Sequence, residues 1–330
     1  GGPGTPFVVT GGHTYREASG HPIFLRVHDS TYDLDAVAVS NVSRQRGSQN
    51  EGTIAIDLTD PLHLFAAANP GDDVGLMITV SNDGGVTWGS RIAGAGNDNF
   101  PQGFADPKAT FDALGNLYFA YLGAEPNFDL ALIQVSADGS SATPVHIFLG
   151  TGVRAGLDHP SVATGPGPGG AESVWLTWEE SVGGQQHIMV AGALVPPPGG
   201  NWTFTRTAFA PSDPSFGQNF GDIAVGPDGE VLVLYNVFRG TAPTQVVARL
   251  DPDGFGSRPF GDPVVTTLSN IAFNDRIPAL AQAFRGLIGP EPNLAWDWGS
   301  GPDRGLVYLT YNDVATRGAA APASFLLTSA

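Results

Sequence analysis

Cysteine is absent from the 330 residues, which excludes disulfides, thiolate metal sites and cysteine nucleophiles. Lysine is nearly absent: Lys108 is the single lysine among 15 basic residues, set against 32 acidic ones. The resulting net charge of −17 repels a phosphate backbone, so nucleic acid is excluded as a partner. No apolar run approaches the roughly 20 residues that a bilayer crossing requires, so membrane insertion is not expected. Helical periodicity is almost missing too, and its best candidate, residues 277–285, carries Pro278. The opening GGPGTP holds neither a start methionine nor a charged-then-apolar leader, which points to a processed or cut N-terminus.

What is present is glycine (45) and proline (27), placed between apolar runs rather than in low-complexity tracts, so they act as turn punctuation for many short strands. With 42% hydrophobic residues the chain can bury a large core. The runs recur in a fixed order. Strand-like segments at 51–57, 62–68 and 76–81 lead to the turn Ser81-Asn-Asp-Gly-Gly-Val-Thr-Trp88, and the same order returns from Asp106, Asp158, Phe220 and Glu291. Five repeats of 50–70 residues (approximately), each with three or four strands, predict the four-stranded blades of a β-propeller. A β-sandwich also needs many short strands, but not this recurrence.

Ser81-x-Asp83-x-Gly85-x-x-Trp88 resembles the Asp-box of sialidase-like, BNR-repeat propellers, where it joins the third and fourth strands of a blade. Degenerate copies stand in phase at Ser136, Asp138 and Gly139, and at Asp251-Pro-Asp253-Gly. The stretch from Glu291 to Asp313 is similar to Asp-box propellers in long modular bacterial surface proteins. The resemblance implies an all-β propeller over residues 49–330, with five repeats visible and six or more blades when complete, the last interrupted near the end of the sequence as in a segment of a longer polypeptide. Residues 1–48 resemble the closing strands of a PKD-like or Ig-like β-sandwich module, and are expected to be its tail or strands lent to the propeller. In the boxes the aspartate should accept backbone N–H groups, glycine should supply positive φ, and Trp88 should pack between blades.

The resemblance also implies what a sialidase would carry: an arginine triad, a tyrosine–glutamate pair and an acidic general acid/base. These are not assembled here. Asp275-Arg276-Ile277-Pro278 falls after the fourth repeat, out of place for the motif it imitates, and Tyr118, Tyr121, Tyr235, Tyr308 and Tyr311 lie in apolar runs where packing explains them. No zinc-protease spacing, nucleophile elbow or phosphate loop occurs.

One pattern remains. An acid precedes the first strand of four repeats, at Glu51, Asp106, Asp158 and Glu291, while the fourth repeat has Phe220 with Asp222 nearby. First strands line a propeller channel, so these acids should gather at one mouth, joined from the second strands by Glu179, Glu180, Asn236 and Asp313. Such carboxylates either bond their own blades or hold a cation, with Ca²⁺ the candidate. Acidic turns at Asp72-Asp73 and Asp251–Asp253 are further Ca²⁺ candidates. No cofactor is required outright. The resulting expectation is a secreted or surface-exposed bacterial module that binds a glycan, a protein or neighbouring modules without catalysis. The alternative is a glycoside hydrolase or lyase using Asp106, Asp158 and Glu291.

Overall fold

The computed structural model describes residues 8–9, 42–43, 49–70, 74–123, 129–150, 156–212, 215–240, 243–271, 275–276, 287–313 and 324–329. After β1 (Val8–Val9), strands follow in fours. Blade 1 holds β2 (Gln49–Ile56), β3 (Leu64–Pro70), β4 (Leu76–Ser81) and β5 (Gly89–Ala93). Blade 2 holds β6 (Gly103–Phe111), β7 (Leu117–Gly123), β8 (Leu130–Val135) and β9 (Ala142–Phe148). Blade 3 is β10 (Asp158–Pro166), β11 (Glu172–Val182), β12 (Gln185–Leu194) and β13 (Thr205–Phe209). Blade 4 is β14 (Gly217–Val225), β15 (Val231–Phe238), β16 (Thr244–Asp251) and β17 (Val264–Ser269). A small pair, β18 (Asp275–Arg276) with β19 (Leu287–Ile288), precedes blade 5, whose strands are β20 (Asn293–Trp296), β21 (Val307–Asp313) and β22 (Ser324–Ser329).

Every blade pairs its strands antiparallel, and the first four run in chain order from the inside outward. The first strands β2, β6, β10, β14 and β20 are inner, and each packs against the next from β2 through to β20. The fifth sheet takes its outer strand from the other end of the chain: β1 pairs with β22, Val8 opposite Leu326 and Val9 opposite Phe325. Five blades are thus present, and a sixth is not among the described residues. The backbone carbonyl of Val42 accepts hydrogen bonds from Thr79 and Ser90, so this part of the lead-in lies on blade 1.

The strand runs are unbroken in hydrophobicity because both faces of a blade are covered by neighbours. In β7, Phe119 and Tyr121 pack toward blade 1 with Phe65, Leu76 and Ile78, whereas Tyr118 and Leu122 pack toward blade 3 with Leu176 and Trp178. The next interface joins Trp175, Ile188 and Phe209 to Ile223, Val233 and Tyr235. Leu234 and Val246 meet Leu309 and Tyr311 in the last. The tyrosines of these runs are core residues: Tyr118, Tyr121, Tyr235 and Tyr311 are all buried. Phenol ionisation is correspondingly suppressed by burial at Tyr118 and Tyr121, which rules them out as activated nucleophiles. The side chain of Arg276 and the whole of residues 277–285 lie outside the described residues.

Polar ties also cross between blades. The Asp222 carboxylate accepts from Ser161 of blade 3 (2.6 Å) and from the backbone N–H of Leu294 in blade 5 (2.8 Å). Asp313 accepts from the backbone N–H of Asn270 (2.7 Å) and from Ser269, joining blades 5 and 4. Arg91 of β5 donates through Nη2 to the carbonyl of Gly139 in blade 2 (2.7 Å) while pairing with Asp98.

Candidate functional site

The inner strands share an irregularity near their N-terminal ends. Register slips by one residue between Asn50 and Thr53, Ala105 and Lys108, Asp158 and Ser161, and Asn219 and Asp222. At each slip one non-glycine residue takes a left-handed backbone: Glu51 (φ 53°), Asp106 (55°), His159 (46°) and Phe220 (49°), matched before β20 by Glu291 (41°). These five are the described residues other than glycine with positive φ. Such a conformation costs about 1–3 kcal/mol each and concentrates where a side chain must be aimed. In every blade the next residue is glycine or proline: Gly52, Pro107, Pro160, Gly221 and Pro292. Proline suits a bulge because it offers no N–H to the ladder.

The five equivalent side chains converge on one mouth. Glu51 and Asp106 stand close enough for each carboxyl to shift the other's ionisation, and Asp106 and Asp158 do the same. Asn69 on β3 orders this group: its amide nitrogen donates to Glu51, and its carbonyl oxygen accepts the backbone N–H of Asp106 (3.0 Å). The backbone N–H of His159 donates to both Asp106 Oδ2 (3.1 Å) and Asp158 Oδ1 (3.0 Å). The His159 ring lies on Phe220, with centroids 4.0 Å apart. Glu291 is exposed at the mouth, close enough to Glu51 and His159 for their charges to interact. Lys108, two residues after Asp106, brings its charge to Glu291, Asp222 and His159.

Crowded carboxyls divide into acids and bases. The hydrogen bond with Asp106 is the main reason why the Glu51 carboxyl is raised to about 7, with burial second. Burial raises Asp106 to about 6, where the bond from Glu51 works in the opposite direction. Glu179, facing Asp158 across β10 and β11, is raised to about 8 by burial and by the Asp158 charge. Burial raises Asp158 and Glu291 as well, and lowers His159 to about 4, leaving its imidazole neutral near pH 7.

These shifts set a stability window. Between pH 6.5 and 8.5 the folded chain retains protons on Glu51 and Glu179 that the unfolded chain has released, so stability falls as pH rises. Calorimetry should show a lower Tm at pH 8.5 than at pH 6.5 and a smaller difference in Glu179→Gln. A wild-type Tm that rises over this interval contradicts the assignment.

The mouth therefore includes Glu51, Asp106, Asp158 and Glu291, but in different relative positions from those expected. In the third repeat the residue equivalent to Glu51 and Asp106 is His159, and Asp158 stands one place earlier, opposite Glu179. Asp222 and Asp313 act as inter-blade clamps, with carboxylate oxygens already accepting bonds from neighbouring blades. Glu180 points away from the mouth, as strand alternation requires after Glu179: it is fully buried and paired with Arg206, and it accepts from the Trp178 indole (3.2 Å). Asn236 is at the level of the mouth, paired with Asn219 across β14 and β15, with its side-chain amide buried and unpartnered. Sequence reasoning missed His159, Asn69 and Lys108. The Gly/Pro that follows each left-handed residue is the signal that places His159 in register.

A Cβ on Gly165 of β10 would come within 3.3 Å of Trp298, so this tryptophan of blade 5 reaches across to blade 3.

The turns are occupied by their own bonding. Asp83 accepts from the Thr87 N–H (2.8 Å) and hydroxyl (2.6 Å), while Ser81 accepts the Gly85 N–H (2.8 Å). Trp88 does not bridge blades through its indole nitrogen: it folds over its own turn and donates to Gly85 O (2.9 Å). Asp138 accepts from Ser136, Ser140 and the Ser140 N–H, which holds its carboxyl down at about 2, and Gly139 takes φ 69°. In the third turn Asp251 accepts the Asp253 N–H, and Asp253 pairs with Arg258 (3.2 Å), a charge that already stands where a Ca²⁺ ion was expected. Asp72 and Asp73 lie outside the described residues. A cavity of about 280 Å³ lies between the first two turns, lined by Asp83, Thr87 and Asp138, and one of about 310 Å³ adjoins His63 and Ser136. Neither contains the mouth acids. His63 beside the second cavity is committed to Asp57 and to the Ala137 carbonyl (2.8 Å).

Five four-stranded antiparallel sheets, packed in succession along their inner strands, define the chain as an all-β propeller. No protein-family model matches the chain, and no curated protein matches it. Among solved structures it is similar to an endo-arabinase from Bacteroides thetaiotaomicron, at 13% identity and TM-score 0.49, over 88% of this chain and 95% of that one. It is also similar to an α-L-arabinofuranosidase from Fusarium graminearum, at 13% identity and TM-score 0.48, over 86% and 92% of the two chains. A third, the arabinanase of Bacillus subtilis, is 11% identical with TM-score 0.45, over 86% and 94%. At this identity the likeness concerns the fold alone. The expectation of a non-catalytic module whose mouth acids each bond only their own blade is corrected at the mouth: Glu51, Asp106 and Asp158 also shift one another's ionisation from three different blades.

Proposed function

We propose that the chain hydrolyses glycosidic bonds of neutral glycans at the propeller mouth, with Glu51 as proton donor and Glu291 as the carboxylate across from it. The observation that carries this reading is the set of left-handed bulges that turn carboxyls from adjacent blades into one opening. Glu51 is exposed there and holds its proton near neutral pH because its partner Asp106 is the stronger acid. Desolvation and the charge of Glu51 raise the Glu291 carboxyl, and the charge of Lys108 draws it back toward the ionised form. An acid and a carboxylate flanking one bond are the two groups that glycoside hydrolysis uses. Asp106 and Asn69 position Glu51, and the stacked rings of His159 and Phe220 offer an aromatic wall for a sugar ring.

Substrate charge follows from the same residues. With His159 neutral and Lys108 alone among the acids, sialic and uronic acids are repelled, which disfavours both the sialidase chemistry of the original resemblance and a uronate lyase. The turns at Ser81–Trp88 and Ser136–Ser141 serve folding. Polymeric glycan substrates also suit the secreted or surface setting expected from composition.

The test is release of reducing ends from arabinan, xylan and other neutral polysaccharides, alongside aryl glycosides of neutral sugars and of sialic acid. Turnover confined to neutral substrates is expected. No turnover on any of them, or turnover of the sialoside alone, would overturn the proposal.

A further inference from the structure

We propose that Asp106, Asp158 and His159, with the buried Glu179 beside them, form a binding site for one divalent cation of the borderline class, Mn²⁺ or Zn²⁺. One carboxylate oxygen from each aspartate and one imidazole nitrogen of His159 lie within 4.8 Å of one another, which is the span of a single coordination sphere with bonds of about 2.0–2.4 Å. The imidazole is 3.8 Å (Nδ1) from Asp106 and 3.6 Å (Nε2) from Asp158, too far for hydrogen bonds but close to the separation of two ligands around one ion. The backbone N–H of His159 bonds both carboxylates, so three ligands are held by one bulge.

The second observation is Glu179. It is 3% exposed, and its Oε2 has no hydrogen-bond partner, whereas Oε1 accepts from Gln186. It is the register partner of Asp158, so the two side chains project from the same face of the β10–β11 ladder, close enough for the Asp158 charge to act on Glu179. A buried carboxylate oxygen without a donor is costly unless a proton or a cation satisfies it. Among the described residues, the ion pairs of Asp106 and Asp158 are with His159 only, and no arginine or lysine supplies that charge. Two carboxylates with one imidazole suit Mn²⁺ or Zn²⁺ better than Ca²⁺, which prefers an all-oxygen shell. The ion would sit beside the proposed proton donor and is inferred independently of hydrolysis.

The experiment uses the full chain after chelator treatment, titrated separately with MnCl₂, ZnCl₂ and CaCl₂ by calorimetry. One Mn²⁺ or Zn²⁺ per chain is expected, with affinity weakened at least tenfold in Asp158→Asn and His159→Ala and unchanged in Asp253→Asn. Pulsed electron paramagnetic resonance of the Mn²⁺-loaded wild type should show coupling to an imidazole nitrogen, a readout that requires no variant to fold. Absence of saturable Mn²⁺ and Zn²⁺ binding overturns the proposal. So does binding of Ca²⁺ alone, binding undiminished in both variants, or a Mn²⁺ spectrum without nitrogen coupling.

Discussion

Replacing Glu51 by glutamine should lower kcat on a neutral glycan by about 10²–10⁴-fold while leaving KM within a few-fold, because the amide keeps the shape of the side chain but has no acidic proton to deliver. The wild-type rate should fall as pH rises through about 7, where Glu51 loses its proton. Aryl glycosides whose leaving group needs no protonation separate this role from a general loss of fold: they should be cut far less impaired by the substitution. Equal losses on activated and unactivated substrates would show that Glu51 is not the donor. Circular dichroism should show an unaltered fold, since Glu51 is exposed and contributes little to packing.

The largest expected effect on stability lies away from the mouth. Glu180 is fully buried in β11, and its charge is answered by Arg206 of β13, whose guanidinium also lies 5.1 Å from the centre of the Trp178 ring. Arg206→Met retains an apolar stem over the indole but leaves a carboxylate buried without a countercharge, at a cost of about 3–5 kcal/mol. The double variant Arg206→Met/Glu180→Gln should recover most of that loss, because the amide still accepts the Trp178 N–H and carries no charge. Urea unfolding of both variants checks the sign and the recovery. A single variant as stable as the wild type would show that the pair contributes nothing net.

The propeller was legible because its cause is local and repeated. Runs such as Leu117–Leu122 lack the polar alternation of a half-exposed strand, since both faces are covered by neighbouring blades. The mouth was partly legible. Glu51, Asp106 and Glu291 stand in register, but matching the third repeat by acid identity selects Asp158, whereas the backbone selects His159. The Gly/Pro following each left-handed residue was the better guide, since it reflects the conformation and not the side chain. Glu179 and Glu180 are adjacent in sequence and opposite in role, a difference set by strand alternation. Asp222 and Asp313 could not be separated from mouth acids by sequence, because their partners, Leu294 and Asn270, come from neighbouring blades.

The outer strand of blade 5 makes assembly of the mouth a long-range event. Four strands of each of the first four blades come from one continuous stretch, but blade 5 requires Val8–Val9 to meet Phe325–Leu326 from the opposite end of the chain. Joining segments so distant carries a loop-closure entropy that only the completed ring offsets. Glu291 belongs to that last blade, and its charge opposes Glu51 of the first. The acids of the mouth therefore come from the first and the last blade, and the last blade is complete only when both ends of the sequence have met in it.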